Sequence, residues 1–205
     1  MRLIFFSVPE ADGLEEQLAE FRYLGWSVTH ITSREMCGIS TQFDVGISDR
    51  CNFLIPEANK AFCTHGIFNF HPSLLPLHPG SFSQFWSLIF NDQFGVTCHE
   101  ITQELDRGRI CDVVPVPYSS DENFISVYNR TRVVTKGMIW RLLHKVALGA
   151  RIDLEHISHT SQPNHTSSFT RPLIQRLPNG WATSIREARS ILSGHSDRSG
   201  RVILG

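Results

Sequence analysis

Asn69-Phe70-His71-Pro72-Ser73-Leu74-Leu75-Pro76 closes an apolar run that begins near Gly66. Residues two apart on an extended strand share a face, so the Asn69 amide and the His71 imidazole stand side by side. Pro72 and Pro76 stop the strand and fix the loop beyond it. Further on, Leu105-Asp106-Arg107-Gly108-Arg109-Ile110 reads as a loop that brings a carboxylate. An amide, an imidazole and a carboxylate can polarise a carbonyl, manage a proton and hold the imidazole in one orientation. The same residues, taken singly, also suit a satisfied strand-end histidine and a turn-forming Asp ahead of Gly108.

Outward from this segment the pattern alternates. Arg2 to Val8 reads as a buried strand ended by Pro9. Leu14, Leu18, Phe21 and Leu24 step by three and four, which predicts a helix from Gly13 to Leu24 that stops near Gly25. Trp26 to Thr32 and Phe43 to Ser48 read as strands, and Ile55 to Phe62 as a short helix begun by Pro56. Ser83 to Asn91 reads as a helix, and Phe94 to Ile101 and Ile110 to Val116 as strands flanking the Asp106 loop. Ser119 and Glu122 form a capping-box pattern before a long helix to about Gly149, with Val127, Val134, Met138, Leu142 and Val146 on one face. This alternation predicts an α/β fold with a Rossmann-like, mostly parallel sheet and helices on both faces. Residues 1–150 form the expected catalytic domain and 151–205 a small C-terminal extension. Ser158 to Thr170 has a loop composition, Ser184 to Leu192 reads as a short helix, and Ser193 to Gly200 as a loosely held end.

The 205 residues carry 19 Lys and Arg against 20 Asp and Glu. No basic stripe suits a phosphate backbone, so nucleic acid is not an expected partner. Apolar runs such as Leu3 to Val8 are too short to span a bilayer, and no signal pattern opens the chain. Five scattered cysteines without a Cys-x-x-Cys spacing fit a reduced, cytoplasmic setting. His156, His159 and His165 have ligand-like spacing, but nothing completes a metal site, so none is expected. Glycine-rich phosphate loops are absent.

The Asn69 to Pro76 segment, then Gly95-Val96-Thr97-Cys98-His99, then Leu105 to Ile110 stand in the order found in the folate-dependent formyltransferases. The resemblance is close from about Phe43 to Pro117. It departs from the family ahead of Asn69, where the N-terminal half is short by roughly one strand–helix unit, as in formylation domains of peptide synthetases. The shortening falls on the acceptor side of the cleft.

The resemblance implies a co-substrate, 10-formyltetrahydrofolate, and an amine acceptor. Asn69 would donate to the developing oxyanion, His71 would donate to it or accept the amine proton, and Asp106 would orient the ring or relay a proton through water. His99 matches a family histidine near the site and equally suits a core-edge residue bonded to backbone; Ser73 suits a turn-stabilising hydroxyl. The pterin slot would use Phe53, Leu54 and Ile55, facing Glu104 and Leu105. The Ser7-Val8-Pro9-Glu10-Ala11-Asp12 turn does not suit a phosphate-bearing glycinamide acceptor, and the basic extra domain of the methionyl-tRNA enzyme is not expected. A nucleotide-linked amino sugar or another small amine remains, with a homodimer compatible. Trp26, Trp86 and Trp181 suit either base stacking or plain packing. A formylfolate hydrolase and a folate-binding protein without turnover are the alternatives.

Overall fold

The computed structural model describes residues 1–156, 158 and 163–204. Six strands form one sheet: β1 (Arg2–Phe6), β2 (Ser27–Ile31), β3 (Val45–Ser48), β4 (Ile67–His71), β5 (Gly95–Glu100) and β6 (Ile110–Pro115), in the order β2-β1-β3-β4-β5-β6. The first four are mutually parallel. β5 and β6 are antiparallel to their neighbours, so the sheet is mostly parallel with a reversed edge. A doubly buried run such as β5 has the same pattern in either direction, and its orientation is therefore set by the path through the 72–94 connection.

Alternation along β1 and β4 divides the core. Leu3, Phe5, Phe68 and Phe70 face a large cluster that includes Trp86 and Leu143, while Ile4, Phe6 and Ile67 face a smaller one with Ile31, Cys37, Phe43 and Cys63. The helices α1 (Leu14–Tyr23), α2 (Ser83–Ile89), α3 (Phe124–Ala147), α4 (Ser167–Ile174) and α5 (Ile185–Leu192) all contribute to the large cluster or its rim. Among the described residues the smaller face carries two 3-10 segments, Arg34–Cys37 and Glu57–Phe62. The sheet is thus flanked by helices as expected, with the α-helices on one face and 3-10 turns on the other.

Three further readings change. Asn123 caps α3, its side chain accepting from Ser126 N at 2.9 Å, while Glu122 bonds back to Ser119 N at 2.8 Å in the preceding turn. Ser167–Ile174 is helical although it overlaps the expected loop; buried Thr170, which accepts from Trp86 Nε1 at 3.0 Å, holds it by tertiary contact. Residues 157 and 159–162, including His159, lie outside the described residues. The end expected to be loose is pinned: Ile203 is fully buried, Ile203 N donates to His195 O at 2.7 Å, and Ser196 pairs with Val202. Among the described residues no helix is long and apolar enough to cross a membrane.

Candidate active site

The carboxyl ends of β3 and β4 place Ser48 beside Asn69 in register. Ser48 Oγ donates to Asn69 Oδ1 at 2.9 Å. Across the antiparallel pair Asn69 faces His99, and Asn69 Nδ2 donates to His99 Nε2 at 3.1 Å. His99 Nδ1 donates to Glu100 O at 2.9 Å, so both readings of His99 hold at once. With its oxygen engaged by Ser48 and one amide hydrogen given to His99, the Asn69 nitrogen has a second hydrogen to offer a ligand.

His71 follows on the same face and is only 4% exposed. Its Nε2 lies 3.1 Å from His78 O. A carbonyl can only accept, so Nε2 carries a hydrogen and Nδ1 is the nitrogen that gains or loses a proton. That Nδ1 lies 3.6 Å from Asp106 Oδ2, while Asp106 Oδ1 lies 3.5 Å from His99 Nε2. Gly80 N donates to Asp106 Oδ2 at 2.7 Å. Burial works against the Asp106 charge, but the His71 and His99 rings and the Gly80 N–H outweigh it and hold its pKa well below the usual carboxylate range. Burial is the largest influence on His71 and lowers its pKa, with Asp106 opposing.

The Asp106 loop is built for this reach. Asp106 has φ +55°, a left-handed conformation that Asp tolerates better than most residues. A Cβ on Gly108 would lie 1.8 Å from Glu100 O, so only glycine allows the loop to close on β5. Arg109 clamps the base of the loop with two bonds to the Glu100 carboxylate, at 2.7 and 3.0 Å.

The sequence-based residues are thus gathered in one place for Asn69, His71 and Asp106. Phe53 and Ile55 pack on the smaller core cluster, whereas Leu54 and Leu105 are 63% and 43% exposed. Gln103 donates to Glu57, which ties the Glu104–Leu105 loop to the segment that follows Ile55. Ser73 plays the turn role, its Oγ donating to Leu77 O at 2.7 Å. Trp86 is a fully buried core residue, while Trp26 and Trp181 are partly buried and pack against the core and aromatic neighbours. Spacing gave no sign of Ser48 or of Asp49, whose buried carboxylate takes two bonds from Arg132 of α3, at 2.8 and 2.6 Å. Both contacts depend on strand register and on a helix distant in sequence. Among the described residues no group of three or more His, Cys, Asp or Glu is arranged to hold a metal.

A formyl transferase domain pattern matches residues 38–143, more than half of the chain. The chain belongs to the formyl transferase family. Curated members include a methionyl-tRNA formyltransferase of Thermotoga neapolitana, 31% identical over 55% of this chain and 34% of its own length. A mitochondrial 10-formyltetrahydrofolate dehydrogenase of Mus musculus is 30% identical over 61% of this chain and 15% of its own. A dTDP-4-amino-4,6-dideoxyglucose formyltransferase of Mycobacterium tuberculosis is 30% identical over 49% and 42%. The chain therefore spans less than half the length of these relatives. The fold of this formyl transferase family member matches that of a formyltransferase from Anoxybacillus kamchatkensis, solved with UDP-4,6-dideoxy-4-formamido-L-AltNAc and tetrahydrofolate. There the TM-score is 0.74 at 21% identity, covering 92% of this chain and 97% of that one.

Proposed function

We propose that this chain is an N-formyltransferase that moves a formyl group from 10-formyltetrahydrofolate to a primary amine of a small metabolite, in first place a nucleotide-linked amino sugar. The convergence of Asn69, His71 and Asp106 at one strand end carries the reading. The amine nitrogen attacks the formyl carbon, and the carbonyl oxygen takes up negative charge beside the free Asn69 N–H. His71 Nδ1 accepts the ammonium proton, with Asp106 stabilising the imidazolium that results. The tetrahedral intermediate then collapses: the bond from carbon to the folate nitrogen breaks, and that nitrogen takes the proton. The pterin lies between Phe53-Leu54-Ile55 and Glu104-Leu105, where exposed Leu54 and Leu105 supply apolar walls. The sugar acceptor is supported by the family relative that formylates a dTDP-linked amino sugar and by the fold match to an enzyme holding a UDP-linked one.

The test is to incubate the protein with 10-formyltetrahydrofolate, with and without a panel of amino-sugar nucleotides and simple amines, and to measure tetrahydrofolate, formate and formylated amine. Amine-dependent tetrahydrofolate release supports the transferase. Release of formate without any amine replaces it with the hydrolase, and saturable folate binding without product replaces it with a binding protein.

A further inference from the structure

The loop 78–80 touches both members of the His71–Asp106 pair. His78 O accepts from His71 Nε2 at 3.1 Å, and Gly80 N donates to Asp106 Oδ2 at 2.7 Å. The loop thus fixes which His71 nitrogen is free and where the carboxylate stands.

Besides the bond from His71 at the end of β4, the C-terminal part of the chain holds this loop. His165 N donates to Pro79 O at 2.8 Å and Ser81 N donates to His165 O at 2.9 Å, forming a parallel bridge at Gly80. A Cβ on Gly80 would lie 2.3 Å from His165 O, so the two backbones are in close apposition. The His78 ring is fully buried. Its Nδ1 lies 3.2 Å from His165 Nε2, and its Nε2 donates to Asp92 Oδ2 at 2.7 Å. Arg201 grips the same Asp92 carboxylate with two bonds, at 2.6 and 2.8 Å. Trp86 stacks on the His165 ring at 4.6 Å. His165 and Arg201 both lie beyond residue 143, where the family match ends.

We propose that His78, Asp92, His165 and Arg201 form a positioning network, half of it supplied by the C-terminal segment, that locks the tautomer of His71 and the seat of Asp106. That the locked pair performs the proton transfer rests on the proposed function; the lock itself does not. A buried polar cluster that only braced the fold would have no reason to end, through three consecutive residues, on both partners of one imidazole–carboxylate pair. The groups facing His71 are Asp106 from the β5–β6 loop, His99 from β5 and His78 from its own loop. A slack 78–80 loop admits water to this set and removes the Gly80 N–H from Asp106. His71 then loses its fixed tautomer and is protonated more easily.

The experiment uses protein labelled with 15N at histidine, with the His71 signals assigned from a His71→Gln variant. The full-length protein should show one His71 tautomer, with hydrogen on Nε2. Asp92→Asn and Arg201→Ala should give mixed tautomers and a higher His71 titration midpoint. They should also lower kcat for formyl transfer about ten- to hundredfold with KM for the formyl donor unchanged, and Arg201→Lys should recover part of the rate. The Arg201 side chain is 39% exposed, so its replacement leaves the core closed; Arg201→Gln gives the same readout where Arg201→Ala does not fold. Folded variants with an unaltered His71 tautomer and midpoint overturn the proposal, whatever their melting temperature. Absence of turnover in the unsubstituted protein counts against the transferase, while the His71 spectrum still decides on the network.

Discussion

At the scale of single residues, function rests on which hydrogen each polar atom is obliged to give. Asn69 was legible because strand alternation pairs it with His71, and Asp106 because it stands in a recognisable loop. Ser48 and His78 were not legible. Their contacts follow from strand register and from a backbone carbonyl, neither of which leaves a spacing signal. The assigned roles have distinct kinetic signatures. His71→Ala and Asp106→Asn are each expected to lower kcat by about two orders of magnitude or more while the far-ultraviolet spectrum is retained. Asn69→Ala is expected to reduce kcat more than folate affinity, because its N–H serves the oxyanion rather than the ground state. A matching loss in both, read from steady-state kinetics and folate titration, would make Asn69 an ordinary ligand.

Among elements, the strands and α1, α2, α3 and α5 were readable from apolar periodicity, to within a residue or two at their ends. The reversal of β5 was hidden because burial on both faces leaves no directional mark. α4 was hidden because polar Ser and Thr residues with an internal proline argue for a loop, and tertiary contacts oppose them, among them Trp86 with Thr170 and Phe169. Two glycines separate close approach from mere tolerance. Gly108→Ala drives a Cβ into the Glu100 carbonyl, and backbone cannot yield as a side chain can. We expect it to cost more than about 2 kcal/mol in chemical denaturation and to abolish turnover by lifting the Asp106 loop. Gly137, inside α3, has open space around a new Cβ. Gly137→Ala should therefore raise stability by roughly 0.5–1 kcal/mol; destabilisation in the same measurement would show that α3 is packed more tightly at that point.

For the whole molecule, buried charges link parts far apart in sequence. Asp49, 1% exposed, joins the end of β3 to Arg132 of α3. Asp49→Asn leaves the half-hidden guanidinium uncompensated and should cost about 3–5 kcal/mol in urea denaturation. Acid stability follows from the network behind the site. Burial first, then the neighbouring His78, holds the His165 pKa down to about 4, below the ordinary 6.5. The unfolded chain therefore binds this proton at higher pH than the folded one, and stability falls as pH drops from about 6.5 to about 4. For Asp92 burial acts upward, but the bonds from His78 and Arg201 prevail and hold it down to about 2. Its contribution is complete above the ordinary value of 3.8 and disappears as pH falls towards about 2. Melting temperature measured against pH should show both declines, and His165→Gln should lessen the upper one, to which buried His71 also contributes; a flat profile between pH 7 and 4.5 would contradict the His165 assignment. The grip of Arg201 on Asp92 also bears on biosynthesis. A ribosome releases this chain from its N-terminus, and β4 emerges well before residue 201. A nascent polypeptide already carrying Asn69, His71 and Asp106 therefore lacks, until Arg201 has emerged, the contacts that we propose steady them.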